Sequence, residues 1–327
     1  MRSRATPPDG ATRRPDMGAH AARVAGLAGA AALAVLLFLP GIVRAQEMTE
    51  LRSARRDVSQ AERLEVEVEY AAGRVLVERA DPGFLYQKYL RYDASRIDPI
   101  SEWEREDGVG ALRLGMEGPQ DLQILRWGEG GGLDIDLRGI SGLRDLDEAS
   151  SSLELGLSRR VPTDLSLQIG AAESSFRLGG IPITSLSLET GASETEITFD
   201  RPNPAAMESL EIEAGAASLR TRSLGNARFG RLSLEGGVGD VRLDFTGEWT
   251  RDARATVEVG LGSLRLIFPE DLGVRIRRES FLASFDVPAG FETTDEGYRT
   301  ENWSSAEHRL TLDLSAALGS VRISVRD

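Results

Sequence analysis

Apolar and polar positions alternate through the second half of the chain in phrases of nearly constant make-up. They read LSLQIGAAESSFRL from Leu165, LSLETGASETEITF from Leu186, LEIEAGAASLRTR from Leu210, LSLEGGVGDVRLDF from Leu232, ATVEVGLGSLRLIF from Ala255 and LTLDLSAALGSVRI from Leu310. The first five begin 21, 24, 22 and 23 residues apart. Side chains of a strand point alternately to its two faces, so Leu165, Leu167 and Ile169 share a face. So do Leu186 and Leu188, Leu210 and Ile212, Leu232 and Leu234, Val257 and Val259, and Leu310, Leu312 and Leu314. That common face is the expected core. Gly170, Gly191, Gly215, Gly237 and Gly260 follow these runs, where a tight corner calls for positive φ or close backbone approach. A second strand then returns with Phe176 and Leu178, Ile197 and Phe199, Val241 and Leu243, Leu264 and Leu266, and Val321 and Ile323 inward.

No single phrase can bury its own apolar side, so neighbouring phrases must stack and pair strand to strand at about 4.8 Å. The expected fold is all-β: a solenoid-like, β-helix-like stack of two-strand rungs, each about 22 residues long. Residues 274–287 read as a degenerate rung, and the strand at 321–325 as an integral part of the stack. In the first half, residues 64–70 and 74–78 form a diverged copy of the phrase. Residues 84–93 and 111–115 read as further strands, 46–63 as a polar lead-in, 128–132 as a glycine-rich turn and 141–152 as a polar linker. The mature chain therefore divides into an N-terminal β region, 46–150, and a repeating β region, 151–327.

The N-terminus differs in kind. Arg13, Arg14 and Arg23 precede an apolar run at 24–39, Pro40 and Gly41 break it, and Val43-Arg44-Ala45 supplies a small residue at the cleavage position. This predicts a signal peptide over 1–45, cut after Ala45, and hence export to the periplasm or beyond. The alternative is a membrane anchor over 24–43, and Met17 is an alternative start to Met1. The chain has no cysteine, which excludes disulfides, thiolate metal sites and lipoprotein attachment. The leader holds six Arg and two Asp, so its removal takes the formal charge from -13 to -17. Nucleic acid and an anionic membrane surface both require basic surface, and neither is an expected partner.

The candidate binding face is found by counting four residues into each phrase: a polar column of Gln168, Glu189, Glu213, Glu235, Glu258 and Asp313, beside a hydroxyl column of Ser166, Ser187, Ser233, Thr256 and Thr311. Stacked about 5 Å apart, adjacent carboxylates repel by roughly 0.8 kcal/mol even at the dielectric constant of water. Two readings follow: a solvated charged face that keeps an exposed sheet soluble, or a calcium site at Glu189, Glu213, Glu235 and Glu258. Arg177, Arg220, Arg242, Arg265 and Arg322 fall on the outer face of the return strands, on the other wall. Catalysis finds no motif: there is no GxSxG elbow, HExxH, P-loop or dinucleotide fingerprint, and the one mature histidine, His308, opens a strand. Trp103, Trp127, Trp249 and Trp303 read as loop anchors, with a sugar platform as the alternative. No cofactor is expected.

The run LDFTGEW at 243–249, VEVGLGSLRLIFP at 257–269 and GVRI at 273–276 resembles the bacterial toast-rack family. That group comprises exported or membrane-tethered β proteins, including adhesin-like proteins and the C-terminal domain of LiaF-type envelope-stress regulators. The resemblance covers nearly all of the mature chain, with 84–99 similar to the family's N-terminal region. It implies a non-enzymatic binding, adhesin-like or structural role at the cell envelope, with an envelope protein or polysaccharide as partner. An accessory role in stress signalling is the alternative, and a carbohydrate-active β-helix enzyme a third. A single leader in place of several membrane helices departs from the LiaF pattern.

Overall fold

The structure is a computed structural model that describes residues 48–56, 61–95, 97–117, 125–127, 133–135 and 151–326. The expected leader, the glycine-rich turn at 128–132 and most of the linker at 141–152 lie outside the described residues. Residues 46–327 form one compact unit.

The described chain is all-β, with two short 3-10 turns and no α-helix. Its strands are β1 (Met48–Arg55), β2 (Arg63–Arg79), β3 (Tyr86–Asp93), β4 (Asp98–Glu106), β5 (Val109–Glu117), β6 (Leu125–Trp127), β7 (Leu133–Ile135), β8 (Ser152–Leu157) and β9 (Thr163–Arg177). They continue with β10 (Ile183–Thr190), β11 (Glu194–Thr198), β12 (Met207–Arg222), β13 (Phe229–Asp244), β14 (Ala253–Pro269), β15 (Gly273–Asp286), β16 (Phe291–Thr294), β17 (Gly297–Thr300) and β18 (Arg309–Arg326). The main sheet runs β1-β3-β8-β2-β9-β10-β12-β13-β14-β18-β15-β17-β16, with β11 filling the second half of the β10 level and β4-β5 attached to β2. β6 and β7 pair only with each other. Because β2 pairs with both β8 and β9, strands from either side of residue 150 share this sheet.

From β2 to β15 the central pairings are parallel. Each long strand takes in both the outgoing and the returning half of a phrase. Buried positions are even-numbered at Leu232 and Leu234 but odd-numbered at Val241 and Leu243, and the same change separates Leu312 and Leu314 from Val321 and Ile323. The chain therefore turns a corner between the halves, and both halves contribute to one contiguous core. Every phrase residue assigned to the inner face is buried. At the far ends of the return halves the aromatic core continues, with Phe245, just past β13, stacked on Phe268 of β14 at 5.2 Å.

The corner itself differs from the sequence expectation. Positive φ falls at Gly239, Gly262 and Gly319, with values of 148°, 141° and 137°, and not at Gly237 or Gly260. A Cβ on Gly262 would sit 1.8 Å from the carbonyl oxygen of Gly239, and one on Gly319 1.8 Å from that of Gly262. The glycines stack because each hydrogen-aimed face lies against the backbone of the strand before it. Gly170, Gly237 and Gly260 meet the second expectation, close approach, with carbonyl oxygens 2.3, 2.8 and 2.5 Å from the would-be Cβ.

Two further expectations are corrected. The C-terminal strand β18 inserts between β14 and β15, parallel to both, and is an integral part of the sheet. Its register differs, because Leu310 pairs with Ala253 and Leu312 with Ala255, two residues away from alignment by phrase. The corner decides this: Gly319 stacks on Gly262 and Leu318 on Leu261, and because Gly319 comes nine residues after Leu310 whereas Gly262 comes seven after Ala255, Leu310 falls beside Ala253 with its inward face unchanged. In the first half, the lead-in expected to be irregular holds β1, antiparallel to β3, and β4 was not anticipated.

Candidate functional site

The first halves of the phrases present three columns of outward side chains. In the column nearest the corner, Glu69 pairs with Gln168, then Glu189, Glu213, Glu235, Glu258 and Ser315 follow in register. The middle column runs Glu67, Ser166, Ser187, Glu211, Ser233, Thr256 and Asp313. The third runs Glu65, Asp164, Ser185, Ser209, Arg231, Arg254 and Thr311. The register of β18 thus moves Asp313 from the acidic column into the hydroxyl column, and Thr311 out of that column to lie between Arg254 and Arg275. Asp313 is paired with Arg277 at 2.6 Å.

Glu189, Glu213, Glu235 and Glu258 remain in one line. Among the described residues none of them has an arginine within 4.0 Å. Partial burial, then repulsion from Glu189, Glu235 and Glu211, raises the Glu213 carboxyl above its usual range. A carboxyl raised on folding costs stability once it is ionised, and that cost fades as pH falls through its folded value. The four carboxylates follow one another across strands, and among the described residues no three acidic or histidine side chains converge on a metal position.

At the β4 end the same face deepens into a trough of about 430 Å³ spanning β4, β5, β2, β9 and β10. Ser166, Ser185 and Ser187 line it, with Glu65, Glu67, Glu102, Glu104, Arg113 and Asp164. β5 pairs with the first half of β2 on the edge opposite β9, and the hairpin of β4 and β5 supplies one wall of the trough through Glu102, Glu104 and Arg113. Trp103 anchors that hairpin against Gly110 and Tyr86, whose ring lies 5.3 Å away, under the guanidinium of Arg55.

Two arginines organise the trough. Arg113 reaches Glu69 at 3.1 Å and Glu67 at 3.7 Å. Arg63 binds Asp164, which also accepts hydrogen bonds from Thr184 at 2.6 Å and Ser185 at 2.9 Å. Partial burial opposes ionisation of Asp164, but those three donors outweigh it and hold its carboxyl below the usual range. Nearby, Lys88 is buried against Ser101, and burial lowers its amine. Such a floor offers fixed acceptors and hydroxyl donors to a polar ligand, held by ladder geometry rather than by flexible loops.

On the other wall Arg220, Arg242, Arg265 and Arg322 stand in register. Arg177 does not join them; it neighbours Thr198 and pairs with Glu78. Arg220 is paired with Glu194 and Arg322 with Asp286, at the two ends of the row. Trp249 donates to the Phe245 carbonyl at 2.8 Å and Trp303 lies under Arg275, so both act as loop anchors on separate elements. His308 is half-buried and its carbonyl accepts from Gly273. Among the described residues, no helix is long and apolar enough to cross a membrane.

Sequence reasoning missed the trough. Its wall is β4, whose DPISEWERE lacks clean alternation. The one available signal was the Asp-Gly turn at 107–108 linking it to β5, and Asp107 and Gly108 both have positive φ there.

No curated protein matches the chain in sequence. Among solved structures, it is similar to a "putative cell adhesion protein" from Clostridium sporogenes at 15% identity, over 86% of this chain and 100% of that one, with a TM-score of 0.43. It is also similar to a "putative adhesin" and a "putative lipid binding protein", both from Parabacteroides distasonis, at 8% and 9% identity. These cover 86% of this chain and 97% of each of those, with TM-scores of 0.31. Likenesses of that size say nothing of what the chain binds. Residues 44–221 match the family described as the N-terminal domain of toast_rack, DUF2154. That match spans more than half of the 327 residues, and the chain belongs to the toast-rack family.

Proposed function

We propose that the chain is an exported, non-enzymatic binding protein of the cell envelope. Its parallel strands would form a solenoid of about 22-residue rungs, and its polar outer face would take an envelope polysaccharide. The carrying observation is the trough of about 430 Å³, with three serines and a fringe of carboxylates fixed by the ladder. Sugar hydroxyls both donate and accept, and such a floor can answer each with a partner of the opposite kind. Ser187 belongs to the trough, while Ser233, Thr256 and Asp313 extend its middle column beyond it. Thr311 flanks that extension, and Glu189, Glu213, Glu235 and Glu258 border it.

The test is an array of bacterial envelope polysaccharides probed with the full chain and with Ser187→Arg, which would fill the trough. Binding to at least one polysaccharide, lost in the variant at an unchanged melting temperature, is expected. Silence across the array, or binding indifferent to Ser187→Arg, refutes the proposal. The LiaF-type resemblance gives a second reading, an accessory of envelope-stress signalling. It predicts capture of a membrane protein partner and no glycan signal.

A further inference from the structure

The four large apolar side chains that stand exposed among the described residues are Val238, Leu261, Leu318 and Leu282, at 54%, 44%, 48% and 75%. They are not scattered. Val238 pairs with Leu261, Leu261 with Leu318 and Leu318 with Leu282, so they form one ridge along the corner of β13, β14, β18 and β15. Glycines flank it: Gly237 and Gly239 beside Val238, Gly260 and Gly262 beside Leu261.

At the β13 and β14 levels the charges on its two sides are opposite. Three residues before the ridge come Glu235 and Glu258; four residues after it come Arg242 and Arg265. Within the described chain, none of these four has an oppositely charged group within 4.0 Å. Each of these two pairs sets like charges at strand spacing; the opposite charges nearest in sequence on the same walls are Arg231 and Arg254, four residues before the glutamates, and Asp240, two before Arg242.

A two-fold axis parallel to the direction of strand stacking, placed just outside the ridge, resolves both features together. It sets Val238, Leu261 and Leu318 against the same residues of a second copy. On each flank it brings the glutamate side of one copy to the arginine side of the other, at the same strand level. We infer that the ridge is a homodimer interface, an isologous seam of apolar residues between two Glu-to-Arg ladders. Its core is apolar and its rim charged, the usual anatomy of a specific interface. The trough lies on β4, β5, β2, β9 and β10 and stays open in such a dimer.

Sedimentation equilibrium of the full chain tests this. The wild type is expected to dimerise. Glu258→Arg alone and Arg265→Glu alone should each weaken the dimer by about tenfold or more, because each sets like charges across the seam. The double variant should regain it, since the pair is then restored with its signs exchanged. Inside one chain both single changes break up a row of like charges, so a purely structural role predicts no loss and no rescue. Leu261→Cys, in a chain otherwise free of cysteine, should form an intermolecular disulfide on oxidation. A wild type that stays monomeric, or a dimer indifferent to both charge reversals, overturns the inference. So does a monomer whose ridge instead binds phosphatidylcholine vesicles.

Discussion

Replacing Gly262 by alanine tests the stacked corner at its tightest point. The residue has φ of 141°, and the added Cβ would sit 1.8 Å from the Gly239 carbonyl oxygen. Holding alanine at that φ costs about 1–2 kcal/mol. An ordinary contact needs roughly 3.4 Å, so β13 and β14 must also part by more than 1 Å locally. That weakens about two ladder hydrogen bonds, at about 1 kcal/mol each. With the loosened packing of Leu261 and Leu264, the sum is about 3–5 kcal/mol, or a fall in melting temperature of about 6–15 °C. Gly290 supplies the control, since its φ is 89° but nothing lies within 4 Å of a Cβ there. Gly290→Ala should cost only the conformational part, about 1 kcal/mol. Thermal melts of the two variants by circular dichroism decide the matter. If Gly262→Ala melts with Gly290→Ala, the close approach of corner to corner is wrong.

Three further outcomes follow from the geometry. Deleting residues 318–327 removes the second half of β18 from between β14 and β15, leaving two unpaired edges over Leu264 and Leu266; aggregation on expression is expected, and a soluble, cooperatively melting product would contradict it. Asp164, depressed on folding, contributes stability that is present above its unfolded value and is lost as pH falls through its folded value. Asp164→Asn should therefore lower stability at neutral pH and flatten the acid limb of the stability curve, read by urea melts from pH 7 down to strong acid. Glu189, Glu213, Glu235 and Glu258 stand in line and do not converge, so calorimetric titration of the full chain with calcium should give no heat that Glu213→Gln removes.

Much of the architecture was legible because burial obeys a period of two. Leu165 to Ile169 and their counterparts were assigned inward from alternation alone, and all are buried. The acidic line from Glu189 to Glu258 followed from the same counting. What escaped depends on contacts distant in sequence. Phrase alignment put Leu310 beside Ala255, whereas the stacking of Gly319 on Gly262 sets it beside Ala253, which carried Thr311 and Asp313 to different neighbours. The trough arises where the β4-β5 hairpin joins the edge of β2, a pairing without local signature. The loops were equally opaque. Asn203 is fully buried, donating to the carbonyls of Ile183 at 2.8 Å and Ala227 at 3.1 Å, and Asn226 donates to Phe199 at 2.8 Å. These side chains close backbone groups between successive levels, a role that composition alone assigns to any loop asparagine.

Parallel, in-register stacking with β18 inserted next to β14 underlies every claim made for the outer face, and engineered cysteine pairs test it most directly. Thr256 and Asp313 are direct cross-strand neighbours, whereas Glu258 and Asp313 are two residues out of step. At a strand spacing of about 4.8 Å the first pair falls within disulfide reach, and the second, about 8 Å apart, falls outside it. Oxidation should cross-link the Thr256→Cys/Asp313→Cys variant and leave Glu258→Cys/Asp313→Cys reduced; the opposite pattern would contradict the account.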